Sequence, residues 1–267
     1  MKLISISSWF GFPISMDERF KLIKAAGFNG ILLWWSDEFA EVDGNKFLHP
    51  DLVRKNNLFI ENIHTPYNGI NCLWTESIDG DDFERILTDS IDECSRFEIS
   101  TAVVHICQGY NPPPVNQIGL NRIKRLVEIA ERKNINLALE NLRRPDYLDF
   151  VFANIQSNKL GFCFDSGHEN CYTKGTDLLS KYGSKLMALH LHDNDGTDDQ
   201  HLRPGEGIID WDVIIKKLKE TRYSGTIALE VINQFSYSSE NKNPLMFLNK
   251  AFMAAERLCK LEESSVM

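Results

Sequence analysis

Carboxylates and imidazoles recur in this chain at the ends of short apolar runs: His64, His105, Glu140, Asp165, His190 and Glu230 each close such a segment. Gathered in one place, side chains of these types ligate a divalent cation, and a carboxylate beside the ion can take up or release a proton. Glu140, Asp165 and Glu230 brought together would repel and raise one another's pKa values. A divalent ion reverses that balance, and neutral imidazole is a natural co-ligand. A set of carboxylates and imidazole without cysteine suits Mn2+, Zn2+, Co2+ or Mg2+. Further donors lie close by. "DSGH" puts His168 three residues after Asp165, and "LHLHDNDGTDDQH", from Leu189 to His201, adds His192, Asp199 and His201.

Residues spread over more than half the chain converge only if regular elements carry them. Candidate strands are "LISIS" from Leu3, "ILLWW" from Ile31, "LFIENIH" ending at His64, and "TAVVHI" near His105. Then follow "INLALE" ending at Glu140, "LGFCFD" at Asp165, "LMALHLH" at His192 and "TIALEV" around Glu230. Helical patterns separate them. Ser15 with Glu18 makes a capping box, and apolar residues at three- and four-residue spacing mark segments starting near Asp81, Asn121, Trp211 and Pro244. Eight strand–helix units without a linker predict an α/β fold, a (β/α)8 TIM barrel forming a single domain over 1–267, with an open doubly wound sheet as the alternative. In the barrel all strand ends open on one C-terminal mouth, where active sites are built. Strand alternation puts Ala138, Cys163, Ala188 and Ala228 on the same side as Glu140, Asp165, His190 and Glu230, a lightly filled layer beneath the donors. Leu137, Leu139, Phe162, Phe164, Leu189, Leu191, Ile227 and Leu229 then face the helices.

Composition excludes several classes. The 267 residues are 43% hydrophobic and 25% charged, an ordinary globular mixture, and no apolar stretch approaches membrane-spanning length. The net charge of −9 disfavours a nucleic-acid partner. The six cysteines form no CxxC pair and read as reduced thiols of a cytoplasmic protein. The N-terminal run is broken by serines, Gly11 and Pro13 and reads as a strand, not a signal peptide. No nucleotide-binding glycine motif is present.

"NIHTPY", "VVHI", "ALENL", "GFCFDSGH", "LHLHDNDG…DQHLRPGEGIIDW" and "ALEV", in that order over nearly the whole chain, resemble the xylose-isomerase-like barrel superfamily. It comprises sugar and sugar-phosphate isomerases and epimerases, related dehydratases, and the endonuclease IV nucleases of abasic DNA (AP endonuclease family 2). Resemblance to the ketose epimerase branch implies one metal held by Glu140, Asp165, His190 and Glu230. There the two glutamates exchange protons with the substrate, and His168 contacts a substrate oxygen. Resemblance to the nuclease branch implies three zinc ions, adding His64, His105, His168, Asp199 and His201. "NLRRPD" after Glu140 departs from the small, Gly-containing run of the nucleases, and "PGEGIIDW" is similar to the isomerase branch. An arginine that the epimerases carry shortly after the strand-seven histidine is absent from "HDNDGT".

The expected activity is therefore a metal-dependent sugar or sugar phosphate isomerase or epimerase, transferring protons through a metal-stabilised enediolate. A trinuclear zinc phosphodiesterase, a sugar or cyclitol dehydratase and a non-catalytic metal-binding subunit stay open as alternatives. The partner is a small polyhydroxylated substrate; homo-oligomerisation is left open. Glu140 and Glu230 are the candidate base and acid, and His168 and His201 contact the substrate. Trp34, Trp35, Tyr67 and Trp74 follow strand ends and are candidates to stack on a sugar face. Arg143, Arg144 and Arg203 are candidates to hold a phosphate or carboxylate. Each has a plainer reading: a strand-end carboxylate as helix cap, the tryptophans as packing, the arginines in surface ion pairs, His192 beside the ligands, and His49 solvated in a loop.

Overall fold

The computed structural model describes residues 2–233 and 242–264. Eight strands alternate with helices: β1 (Ile4–Ser7), β2 (Gly30–Trp34), β3 (Phe59–His64), β4 (Thr101–Val104), β5 (Asn136–Glu140), β6 (Leu160–Asp165), β7 (Leu186–His190) and β8 (Ile227–Leu229). The helices are α1 (Met16–Ala25), α2 (Ala40–Asp43), α3 (His49–Lys55), α4 (Ile78–Arg96), α5 (Gln117–Lys133), α6 (Asp146–Asn154), α7 (Ser166–Tyr172), α8 (Leu178–Tyr182), α9 (Trp211–Glu220) and α10 (Pro244–Ser264). Ser15, Ser77, Asn116 and Asp210 start α1, α4, α5 and α9 by accepting a backbone N–H from the first turn, which satisfies donors the helix itself cannot. Among the described residues no helix is long and apolar enough to cross a membrane.

The strands form one parallel sheet in the order β7-β6-β5-β4-β3-β2-β1-β8. The ring closes just past β7, where Leu191 bridges Leu229. The Leu191 N–H donates to the Ala228 carbonyl at 2.9 Å, and the Glu230 N–H to the Leu191 carbonyl at 3.1 Å. Closure rules out the open sheet and forces every strand end onto one rim. β7 ends at His190, two residues short of the expected His192; Leu191 still pairs with β8, and past it the backbone turns to pair Asp193 with Leu202 in a loop.

The core lies mainly between strands and helices. Leu137, Leu139, Phe162, Phe164, Leu189, Leu191, Ile227 and Leu229 all join this outer core, as alternation requires. Along α5, Leu120, Ile123, Leu126, Val127 and Ala130 form its buried stripe, and each large side chain contributes about 1.5–3 kcal/mol on burial. Inside the ring, Val103, Ala138, Cys163 and Ala188 make a small separate cluster, while Ala228 contacts the outer core. A floor of small side chains leaves the space above it to the polar groups.

Candidate active site

Above that floor opens a cavity of about 420 Å³ lined by residues from nearly every strand end, among them His64, Tyr67, His105, Glu140, Arg143, His168, Asp199, His201 and Glu230. One donor atom each from Glu140, Asp165, His190 and Glu230 lie within 4.8 Å of one another. Glu140 is the hub. Its Oε2 is 3.2 Å from His190 Nδ1 and 3.3 Å from both His64 Nε2 and His105 Nε2, and its Oε1 is 3.1 Å from His168 Nδ1. Glu230 Oε2 lies 3.2 Å from the same His190 nitrogen. On the other side Asp199 stands 3.1 Å from His168 Nε2 and 3.4 Å from His201 Nε2.

Backbone and side-chain ties fix this arrangement. The Asn141 amide brackets Asp165, accepting from its N–H and donating to its carbonyl, both at 2.8 Å, so the tips of β5 and β6 cannot slide. Asp165 also caps α7, accepting the His168 N–H at 2.6 Å; the plainer reading of a strand-end carboxylate as a helix cap and its place in the cluster both hold. His201 adopts a left-handed backbone (φ 47), held by its Nδ1 donating to the Glu230 carbonyl at 2.7 Å and by the Ile232 N–H donating to its carbonyl. Strain of this kind persists only where surrounding contacts overdetermine it.

His192 is fully buried beside Asp165, its Nε2 3.0 Å from Oδ1, and stacks on His201 at 4.1 Å. The glycine of "DSGH" makes room for it, since a Cβ on Gly167 would fall 1.8 Å from His192 Cε1. Asp193, which the sequence reading passed over, accepts from the N–H groups of Gly205 and Ile209 and from the Trp211 indole at 2.9–3.1 Å. It thereby folds "PGEGIIDW" back under the Asp199–His201 loop. The signal for it was Gly207, where a Cβ would meet Asp193 Oδ1 at 2.3 Å.

The electrostatics are those of opposed charges in a buried space. Burial works against ionised Glu140, but His190 and His105 outweigh it and hold the carboxyl well below its usual value. Glu230 is likewise brought to about 2, chiefly by His190 acting against burial. Burial disfavours the imidazolium forms, yet Cys163 with Glu230 and Glu140 raises His190 well above normal, and neighbouring carboxylates raise His168 well above normal and His201 to about 9. His105 goes the other way, lowered by burial. Even so, Glu140 Oε2, both His190 nitrogens and Asp199 Oδ1 are buried without a hydrogen bond of proper geometry. Buried polar atoms without partners are costly and rare; those on Glu140 and His190 belong to side chains that group with Asp165 and Glu230, a set of oxygen and imidazole donors that fits a divalent cation.

Five expectations need correction. Trp35 does not reach the cavity: it is fully buried on the helix side, packed on Phe47 and Phe97, with its indole N–H donating to Glu93. Being one residue past Trp34 reverses its facing, and Trp34 is the one that lines the mouth beside His64 and Tyr67. Arg203 is bonded to Glu206 and lies over Phe247, outside the cavity lining. His49 is not solvated but buried at the start of α3, its Nε2 bonded to the Asp43 carbonyl. Trp74 is core, its indole N–H donating to the Ile106 carbonyl. Arg144 pairs with Asp146 near the surface.

Known proteins place this geometry in context. An uncharacterised protein of Methanocaldococcus jannaschii is 34% identical over 152 residues, 50% of this chain and 52% of that protein. An inosose isomerase of Bacillus velezensis is 27% identical over 130 residues, 43% of this chain and 46% of the isomerase. The matches thus span about half the length of these relatives. Among solved structures, a D-tagatose 3-epimerase-like protein superposes with a TM-score of 0.79 at 23% identity, covering all of both chains. The family model described as a xylose isomerase-like TIM barrel matches residues 20–246, and the chain belongs to that family.

Proposed function

We propose that the protein is a divalent-metal-dependent isomerase or epimerase of a small polyhydroxylated carbonyl compound. The observation that carries this reading is the convergence of Glu140, Asp165, His190 and Glu230, whose donor atoms lie within 4.8 Å of one another at the floor of an otherwise open cavity. Likeness to an inosose isomerase and to an epimerase-like protein supports the same class. These four residues would hold the ion, which supplies Lewis-acid stabilisation of negative charge on substrate oxygen. Glu140 and Glu230, on either side of His190, act as the proton-transfer pair. One carboxylate removes the proton on the carbon beside the carbonyl, the bonding electrons passing towards the carbonyl oxygen; the proton it gains exchanges with solvent or passes to the other carboxylate, and the carboxyl so protonated returns a proton to carbon. His168 and His201, kept cationic by Asp199, donate hydrogen bonds to the substrate oxygens. Trp34 and Tyr67 form the aromatic wall on which the sugar lies.

Solvent deuterium should enter a ketose or inosose at the carbon next to its carbonyl when the protein is supplied with Mn2+. Glu140→Gln and Glu230→Gln should each abolish that exchange. Exchange that persists in both variants rejects the mechanism. A second reading is favoured by one observation: His64 and His105 flank Glu140 while His168 and His201 flank Asp199, so nine donors crowd the mouth. This is a trinuclear zinc phosphodiesterase of abasic DNA. Metal stoichiometry separates the two, with one ion per chain for proton transfer and three zincs for phosphodiester cleavage.

A further inference from the structure

The carboxylates and imidazoles of the mouth answer one another, but one cation in its wall has no acidic partner among the described residues. Arg143 is the only Lys or Arg among the residues lining the cavity. Among the described residues no carboxylate pairs with it, whereas Arg144 is bridged to Asp146 and Arg203 to Glu206. Aromatic rings hold Arg143 instead. Its guanidinium carbon lies 3.7 Å from the centre of the Tyr172 ring and 5.1 Å from that of Tyr110. Its Nη2 donates to the Tyr172 hydroxyl at 2.5 Å, and its remaining N–H groups have no acceptor among the described residues. Tyr172 in turn stacks on His168 at 5.3 Å. Only the Tyr172 ring therefore separates the guanidinium from the proton-transfer cluster, a span within reach of a short sugar chain.

A stacked guanidinium is oriented before a ligand arrives, and its planar fork matches phosphate or carboxylate oxygens two at a time. Sugar hydroxyls offer it only weaker, neutral hydrogen bonds. Outside the metal-ligating cluster and its histidines, Arg143 is the cation in the described lining that can take an anionic group on the ligand. We infer that the substrate carries a phosphate or carboxylate on the part of its chain remote from the reacting carbon, and that Arg143 selects for it. This rests on the proton-transfer reading of the cluster and names the substrate class of that same site.

The test is titration calorimetry of the full-length, Mn2+-loaded protein against D-ribulose, D-xylulose, D-fructose and D-tagatose. Each is compared with its terminal phosphate, and the two ketohexoses also with D-fructuronate and D-tagaturonate. At least one anionic sugar should bind about tenfold or more tightly than its neutral counterpart; which arm does so tells phosphate from carboxylate. Arg143→Gln should bring that ratio to within about twofold, and Arg143→Lys, which keeps the charge without the fork, should retain part of it. Melting curves check that both variants fold. No charge preference anywhere in the panel, or a preference unchanged in Arg143→Gln, overturns the inference. Deuterium exchange on the same sugars keeps the two readings apart. Arg143-dependent binding without exchange sinks the proton-transfer mechanism alone, and exchange that ignores substrate charge sinks this inference alone.

Discussion

The two ends of the barrel treat buried carboxylates in opposite ways. At the amino-terminal end, Glu61 near the start of β3 is met by the Tyr223 hydroxyl at 3.4 Å and by no cation, and burial raises its pKa. At the mouth, Glu140 and Glu230 are more enclosed in charge, and histidines drive them below the ordinary value. The lower end also has unpartnered buried polar atoms, on Ser5, Asn62 and Thr226, but every group of potential metal ligands among the described residues lies at the mouth. Burial without an opposing charge pushes a carboxyl towards its neutral form. Burial among opposed charges keeps it ionised, at a cost in folding, and available for chemistry.

The sharpest way to break this contrast is to neutralise one carboxyl at each end. Glu230→Gln should lower deuterium exchange by about 10²–10⁴-fold, while Glu61→Gln should change it by less than about threefold. Stability should separate them as well. A carboxyl whose folded pKa is raised contributes stability at low pH that is lost as pH rises, so Glu61→Gln removes that loss. Its melting temperature at pH 8 should equal or exceed that of the wild type. An exchange defect in Glu61→Gln as deep as that of Glu230→Gln would show that the ends are not functionally distinct.

Adjacent tryptophans offer the same contrast across a single strand. Trp35→Leu should destabilise by about 3–5 kcal/mol, since a fully buried indole and its bond to Glu93 are lost, with ligand affinity within about twofold. Trp34→Leu should do the reverse, weakening sugar binding by about tenfold for a stability loss under about 1 kcal/mol. Chemical denaturation and calorimetry on both variants read the two effects separately.

Gly167 and His192 test whether the mouth is built as a unit. Gly167→Ala pushes a methyl group into the His192 ring and should cost about 1–3 kcal/mol while weakening Mn2+ binding about 10–100-fold through the displaced partner of Asp165. Adding His192→Ala should restore the stability but not the affinity. Simple additivity of the two stability changes would mean that the ring is not what fills the space above Gly167.

These cases also mark where the sequence could be read. The strand–helix rhythm and the donor at each strand end were legible because both are periodic: alternation along a strand dictates facing, and parallel closure dictates convergence. Facing failed at Trp35 because the aromatic pair stands where β2 ends, and a step of one residue turns a wall of the cavity into core. Arg143, Arg144 and Arg203 were indistinguishable in sequence; the presence of Asp146 and Glu206 within reach of the latter two, and of Tyr172 under the first, is a matter of loop geometry. Asn141 and Asp193, which fix strand tips and loop, act through backbone contacts that no spacing rule encodes. Gly167, against His192, and Gly207, against Asp193, did carry a trace, as glycines in a chemically dense stretch.

His49 supplies the mildest test, because it is a histidine buried away from the mouth. Burial lowers its pKa from 6.5, only partly countered by the Asp43 carbonyl, and Arg19 adds to the lowering. In the mouth, carboxylates reverse the same burial effect for His168 and His201, and Cys163 with Glu230 and Glu140 does so for His190. A histidine whose folded pKa is depressed contributes stability that is present above its unfolded value and lost as pH falls, because the unfolded chain then binds a proton that the folded one refuses. Wild type should therefore lose stability below pH 6.5 faster than His49→Gln, by at most about 1.4 kcal/mol at one pH unit lower. Comparing the two proteins by urea denaturation at pH 7.5 and 5.5 cancels the titration of the mouth, which both retain. Parallel pH profiles would mean that His49 takes up its proton without leaving its place, and that burial does not decide protonation where Asp43 and Asp37 stand near.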